Sequence, residues 1–311
     1  VAAYLLVLVV IARDQLVVEA DTGLTGYGVL HRVGEVGGVL VPRASGFSRF
    51  AAIPAVVAFV LAASSRGPTR LVWGVVALGC AALVYVMQSR GSLAGLVAAI
   101  AFAMLFLSRR SRWLGVLMVL VLAILLATDV VPETTTEGIK MHLTRAQSQE
   151  ELSSLTGRTF VWGRALEIIG ESPLWGHGPQ ADRFLLHEHV HNSYLYVLLQ
   201  SGWIGLIAFV GGLVAAWWSF FRCWASKEGQ EPRERTFLVQ LGAILAFFTV
   251  RTIPEASGAL FGIDFLVMVP AMAYLGVRAA ALGASPADDE DVVGQASRGA
   301  RVSHLPAGEQ V

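Results

Sequence analysis

Arginines set against apolar helix are the residues of this chain best suited to chemistry. Arg43 and Arg49 stand in Pro-Arg-Ala-Ser-Gly-Phe-Ser-Arg, Arg90 in Gln-Ser-Arg-Gly-Ser, Arg158 in Thr-Gly-Arg-Thr-Phe-Val-Trp, and Arg251 shortly before Glu255. At a bilayer centre an arginine costs about 2.5–3.5 kcal/mol on insertion scales. At a helix end it can reach the headgroups at little cost, and anchoring of that kind is the plain alternative for each of them. Arg90 fits the plain alternative least. Ser89-Arg90-Gly91-Ser92 makes an almost loopless turn between two apolar runs, and a cavity-facing arginine there calls for an anionic partner. Guanidinium stays charged and grips phosphate bidentately, so a lipid diphosphate suits it.

Histidine supplies the second chemistry. His187, His189 and His191 alternate in His-Glu-His-Val-His-Asn-Ser. On a strand they would share one face and suggest a metal site. The membrane run starting near Tyr194 follows at once, and His187 and His189 read more simply as surface residues without a role. His191 differs, because Asn192 and Ser193 lead directly into that run and hold it at the membrane surface. Imidazole titrates in the range that suits a general base. The carboxylates offer less. Asp182 and Glu188 lie in the same loop, Asp264 opens the last apolar run, and no close pair suggests glycosidase-type acid and base work. Glu255 reads as a structural ion pair with Arg251. The two cysteines, Cys80 and Cys223, have neither disulfide nor metal spacing.

The elements that must position these residues are membrane helices. Hydrophobic residues make up 55% of the chain and charged residues 15%, with a mean hydropathy of +0.62. Soluble domains carry about 25% charged residues. Apolar runs fall at Val1–Ala12, Phe50–Ala63, Leu71–Met87, Leu93–Leu107, Trp113–Val131, Tyr194–Phe221, Phe237–Val250 and Leu260–Val277. The first begins inside an apolar stretch without a Met, which suggests a trimmed start. If each run spans once, Arg66 and Arg70, then Arg109, Arg110 and Arg112, then Arg222, Lys227, Arg233 and Arg235 fall on one side. The positive-inside rule makes that side cytoplasmic. The outer side then receives Arg13–Arg49, Ser89–Ser92, the long segment after Pro132 and the turn Arg251–Gly258.

Within the long outer segment, Lys140–Leu152 is polar and helix-compatible. Arg158–Gly170 has the periodicity of an amphipathic helix, ended by Ser172-Pro173 and followed by a turn-rich stretch at Gly176, Gly178 and Pro179. The fold class expected is all-α: a polytopic transmembrane helix bundle with an extracytoplasmic helical loop domain. Its parts are N-terminal spans over 1–131, the outer loop over 132–193, C-terminal spans over 194–278, and a disordered cytoplasmic tail over 279–311. A net charge of zero gives no field for nucleic acid. The short cytoplasmic loops hold no phosphate-cradling Gly-Lys-Ser motif, so a transferase here must take a donor that is already activated and already in the membrane.

Several stretches together resemble the O-antigen ligase and polymerase superfamily. They are Gly157-Arg158 through Trp162, Pro173-Leu174-Trp175-Gly176-His177-Gly178-Pro179, His191-Asn192-Ser193-Tyr194-Leu195 and Gly202-Trp203-Ile204-Gly205-Leu206. The turn around Arg90 and the stretch around Arg43 are also similar to it. After Ser45-Gly46 the chain reads Phe47-Ser48-Arg49-Phe50, where many relatives carry an Asn or His pair. The resemblance implies a multispan glycosyltransferase of the cytoplasmic (inner) membrane with its active site facing outward. It would take a glycan from a polyprenyl diphosphate and pass it to a glycan or lipid acceptor hydroxyl, with no metal and no cofactor. By position, Arg90 and Arg158, with Arg43 and Arg49, match the arginines on the diphosphate, and His191 matches the histidine near the acceptor. Two rivals stand beside this expectation. A transporter or flippase for anionic lipid-linked glycans could use the same arginines without chemistry. A scaffold in an envelope complex would leave the polar outer residues unexplained.

Overall fold

The computed structural model describes residues 44–86, 89–107, 113, 115–116, 158–256 and 263–282. The runs Val1–Ala12 and most of Trp113–Val131, the polar segment Lys140–Leu152, Arg43 and the tail after 282 lie outside the described residues. Among those described, the chain forms helices and no strand. These are α1 (Ala44–Ser64), α2 (Pro68–Val86), α3 (Arg90–Phe106), α4 (Arg158–Glu171), α5 (Ser193–Ala225), α6 (Pro232–Arg251) and α7 (Ile263–Ala281). A short π-helical turn, Asp182–Leu186, lies between α4 and α5.

Three helices are long and apolar enough to cross a membrane, over Pro68–Tyr85, Ser193–Ala225 and Asp264–Ala281. Their outward residues are apolar and bare: Leu71 is 71% exposed, Ile207 69% and Val277 71%. Water does not tolerate continuous faces of that kind, whereas lipid requires them. The chain is an all-α membrane helix bundle. α6 is its central helix, with almost every residue from Leu238 to Phe248 buried.

Lipid tails are as apolar as leucine, so helices associate here through close contact of small residues. α1 packs along α2 with buried Ala51, Ala52, Ala55 and Ala58 facing Ala77 and Ala81. α3 packs along α6 through a reciprocal fit. Gly95 meets the Phe247 ring, and Gly242 meets Phe102 and Phe220. The rings of Phe102, Phe106, Trp217, Phe220 and Trp224 then interlock α3 with α5 at centroid spacings of 4.6–6.2 Å.

Helix directions follow from the contacts at their ends. The start of α1, the starts of α3, α5 and α7, and the end of α6 meet at one end of the bundle. The end of α1, the start of α2, the end of α3 and the start of α6 meet at the other. Arg66, Arg70, Arg222, Arg235 and Arg278 all sit at this second end. Among the described helices, the alternation is the one expected from hydropathy.

α4 lies against the beginning of α5, outside the main bundle. Its buried Ala165 and Ile169 join Ala181, Leu186, Val190, Leu198 and Leu199 in a separate small core. The sequence periodicity placed this helix within one residue of its end.

α5 departs from a simple span. Gly202 has φ 60 and ψ −161, a conformation essentially reserved for glycine, and it interrupts the helix. The break frees backbone groups, and the loop after α4 takes them up. His177 N–H donates to Leu199 O and Gly178 N–H to Gln200 O, both at 2.9 Å, while Trp203 N–H donates to Pro173 O at 2.8 Å. Gly176, itself at φ 70, lies flat against the Gln200–Ser201 peptide. The two glycine motifs, separate in sequence, are one hydrogen-bonded joint. From Trp203 to Ala225 the helix is still long enough, at 1.5 Å per residue, to cross an apolar core of about 30 Å. Ser193–Ser201 is left on the side of α4.

Candidate functional site

The end of the bundle that carries α4 also gathers most of the residues singled out for chemistry. Its hub is the turn after α6. Arg158, the first residue of α4, donates from Nη1 to Pro254 O at 2.8 Å, and its Nη2 lies 3.6 Å from Glu255 Oε1. His191 Nδ1 faces the other oxygen, Glu255 Oε2, at 3.4 Å. Ser193 Oγ donates to Glu255 O at 2.7 Å, and Ser193 N–H to Thr252 O at 2.9 Å. Gly91, next to Arg90, packs against Pro254 and Glu255, since a Cβ there would meet Pro254 Cγ at 3.2 Å and Glu255 Cγ at 3.4 Å. The Arg90 backbone thus opens α3 beside the hub; its side chain lies outside what is described.

The local sequence explains why His191 is held there. His191 takes a left-handed backbone conformation, φ 49, that turns the chain sharply into α5. Asn192 is the helix cap, its Oδ1 accepting from Leu195 N–H at 3.0 Å. Trp162 Nε1 of α4 donates to Val190 O at 2.7 Å and pins the residue before His191. With Ser193 on Glu255, each residue of His-Asn-Ser has a defined task. The His191 side chain is 37% exposed, so a reacting group can reach it.

A second ionic group adjoins the first. Asp264 at the start of α7 pairs with Arg251 at the end of α6 and, at 3.0 Å, with Arg49 of α1. Arg49 Nε is buried without a partner among the described residues. Arg251 Nε and Asp264 Oδ1 of the same group are likewise buried without a hydrogen-bonded partner atom, and each such group costs about 1–3 kcal/mol. In these two adjoining groups Arg49, Arg158 and Arg251 stand against Glu255 and Asp264.

Two sequence expectations change. Arg251 pairs with Asp264 as well as acting on Glu255 through its charge, and the Glu255 carboxylate also faces Arg158 and His191, so the expected simple pair is part of a larger cluster. No sequence signal announced the added partners, because they depend on how α4 and α7 dock. The strand weighed as an alternative for His187, His189 and His191 does not form: His187 and His191 are both left-handed, and among the described residues no group of three or more His, Cys, Asp or Glu side chains is arranged to hold a metal ion. His189 is more than a bare surface residue. Its Nδ1 bonds Asp182 Oδ2 at 2.9 Å, Arg183 contacts its Nε2, and Asp182 is fully buried.

Burial pushes the Glu255 carboxyl up, but the hydrogen bond from His191 and the charges of Arg251, His191 and Arg158 outweigh that and bring it below its ordinary 4.5. A depressed native value stabilises the fold fully above 4.5, and the contribution is lost as pH falls through the native value. The difference in thermal unfolding midpoint between wild type and Glu255→Gln is therefore expected to be largest near neutrality and to shrink below about pH 4. A constant difference across that range would contradict the pairing.

Comparison with known proteins covers part of the chain. Residues 75–210 match a family model described as O-Antigen ligase. This stretch takes in Arg90, Arg158, His191 and Gly202, while Arg49, Arg251, Glu255 and Asp264 lie outside it. The chain is 32% identical over 110 residues to the exopolysaccharide production protein ExoQ of Rhizobium meliloti (strain 1021), a match covering 30% of this chain and 25% of that protein. No solved structure matches it.

Proposed function

We propose, on the premise that this chain belongs to the O-antigen ligase and polymerase superfamily, that it is a membrane glycosyltransferase of polysaccharide biosynthesis. It moves a glycan from a polyprenyl diphosphate to an acceptor hydroxyl at the outer face of the cytoplasmic membrane. The observation carrying this reading is the meeting of Arg158 and His191 on the two oxygens of Glu255, beside the start of α3, at the end of the bundle opposite its basic loops.

Arg90 and Arg158, with Arg49, hold the donor diphosphate. A guanidinium has five donors, so the contacts of Arg158 to Pro254 and Glu255 leave some for phosphate oxygens. The acceptor oxygen attacks the anomeric carbon as the bond from that carbon to the diphosphate oxygen breaks. The arginines stabilise the charge gathering on the leaving diphosphate, and direct displacement inverts the anomeric configuration. The hydroxyl proton passes to His191. An ionised Glu255 can only accept, so its contact requires the proton on Nδ1 and leaves Nε2 free as the base. The resulting imidazolium faces the Glu255 carboxylate, and the 3.4 Å contact is expected to shorten as it forms. Glu255 is a positioning residue in this scheme.

Arg90→Lys and Arg158→Lys are each expected to lower transfer roughly 10²-fold with insertion intact, because lysine keeps the charge but loses the planar fork. Near-full turnover in either variant would reduce that residue to an anchor. Guanidiniums supply the charge stabilisation in this scheme, so transfer is expected to proceed undiminished in chelator. Loss of activity restored by Zn²⁺ would contradict it.

One observation favours the transporter reading. Pro54 and Pro270 sit inside α1 and α7, and interrupted or bent membrane helices are common in transporters. Both helices nevertheless run unbroken through their prolines, and the one interruption described inside a spanning helix, at Gly202, is closed by its own loop.

A further inference from the structure

The opposite end of the bundle holds a second site. A cavity of about 550 Å³ opens there between the end of α1, the start of α2, the end of α3 and the start of α6. That volume is within the range of small-molecule sites. Arg66, Arg70 and Arg235 line it together with Ser65, and Phe106 and Val239 give it an apolar wall. We propose that this cavity binds the phosphate headgroup of an anionic glycerophospholipid of the cytoplasmic leaflet.

The arginines are available for it. Arg66 and Arg70 have no carboxylate partner among the described residues, and the nearby Glu234 is held by Arg278 and Tyr274. Arg235 is aimed by neutral contacts: Nη1 donates to Gln230 Oε1 at 3.0 Å, and its guanidinium lies 4.5 Å over the Trp224 ring. Anchoring at a headgroup would need no shared concavity, whereas these guanidiniums line one half-open groove. α2 and α6 both begin at the cavity with proline, and no side chain caps the start of α6. Helix starts of this kind add partial positive charge to what the arginines supply.

Depth selects the source of the phosphate. α6 is 20 residues long and joins this cavity to the Glu255 hub, a separation of about 30 Å at 1.5 Å per residue. That is the thickness of a bilayer core, so the arginines lie at headgroup level on the far face. An apolar wall beside the cations fits a glycerol backbone and the first methylenes of acyl chains, and a soluble phosphate compound has no use for it. Basic pockets between helices on the cytoplasmic side take anionic headgroups for these reasons.

The test uses the full chain in detergent, with lipid retention followed by native mass spectrometry and thermal unfolding. Phosphatidylglycerol is expected to be retained and to raise the unfolding midpoint, phosphatidylcholine far less. At about 1 kcal/mol per arginine, Arg66→Gln with Arg70→Gln should weaken retention roughly thirtyfold. Ser65→Glu places a carboxylate in the cavity without touching the core and should do the same, which guards against a misfolded double variant. Inorganic phosphate at millimolar concentration should not displace the lipid. Stabilisation by inorganic phosphate that is lost in the same variants, with no preference between lipids, would overturn the lipid assignment in favour of a soluble ligand. Equal retention of both lipids, or retention unchanged in the variants, would overturn the site.

Discussion

His191→Ala is expected to lower the rate of glycan transfer about 10²–10⁴-fold, the usual worth of a general base, with donor affinity largely kept. The split follows from geometry. The acceptor glycan is too polar to enter the bilayer and the donor diphosphate sits at headgroup depth, so the two meet only at the boundary where His191 turns into α5. The arginines that would hold the diphosphate come from α1, α3 and α4 and do not depend on the imidazole. Glu255→Gln keeps the shape but removes the charge that fixes the Nδ1 proton and stabilises imidazolium. It should lower turnover less than His191→Ala, and chiefly in kcat. His189→Ala and His187→Ala should be mild for turnover. The His189 ring is engaged by Asp182 and Arg183, and the exposed His187 has no part in the cluster. Parallel kinetics and donor-binding measurements on these variants check the account. Collapse of donor binding along with turnover in His191→Ala would move the residue from base to diphosphate site.

Gly202→Ala is expected to cost the folded outer domain several kcal/mol. An L side chain at φ 60 and ψ −161 carries about 1–3 kcal/mol of strain. Its Cβ would also fall on the Leu174 carbonyl, so the strain cannot be relieved without undocking the Pro173–Gly178 loop. Separation would expose the freed carbonyls of Leu199 and Gln200 and the N–H of Trp203. Gly211→Ala, in the same helix with open space around it, is the control and should be neutral or slightly stabilising. Hydrogen exchange at the amides of His177, Gly178 and Trp203 reads the joint directly: fast in Gly202→Ala, slow in wild type and in Gly211→Ala. Protection unchanged in Gly202→Ala would contradict the docking.

The spanning helices were legible because lipid leaves hydropathy as the dominant signal. Leu71–Met87 and Leu93–Leu107 became α2 and α3 with shifts of up to three residues at their ends, while α1 begins at Ala44, six residues before the apolar run at Phe50. α6 begins at Pro232, earlier than the apolar run at Phe237, since charged Arg233, Glu234 and Arg235 are good helix formers that hydropathy discards. The interruption at Gly202 was hidden for a similar reason. Its flanks are apolar on both sides, and only the tertiary partner at Leu174 requires the glycine. The site was half legible. Arg158 and His191 announced themselves by type and position at helix starts. Glu255 did not, because its role is set by groups from α4 and α5 that reach it across long stretches of sequence. Asp264, reached by both Arg49 and Arg251, was hidden for the same reason.

The most direct measurement of the central claim is bond formation by the purified chain. The protein would be reconstituted in proteoliposomes with a labelled glycan on polyprenyl diphosphate and an acceptor glycan, and both products followed together. The account predicts that free polyprenyl diphosphate and acceptor-linked glycan appear in equal amounts, with inverted anomeric configuration, and that both vanish in His191→Ala. Movement of intact donor between leaflets with no new glycosidic bond, equally fast in His191→Ala, would contradict it and identify a transporter.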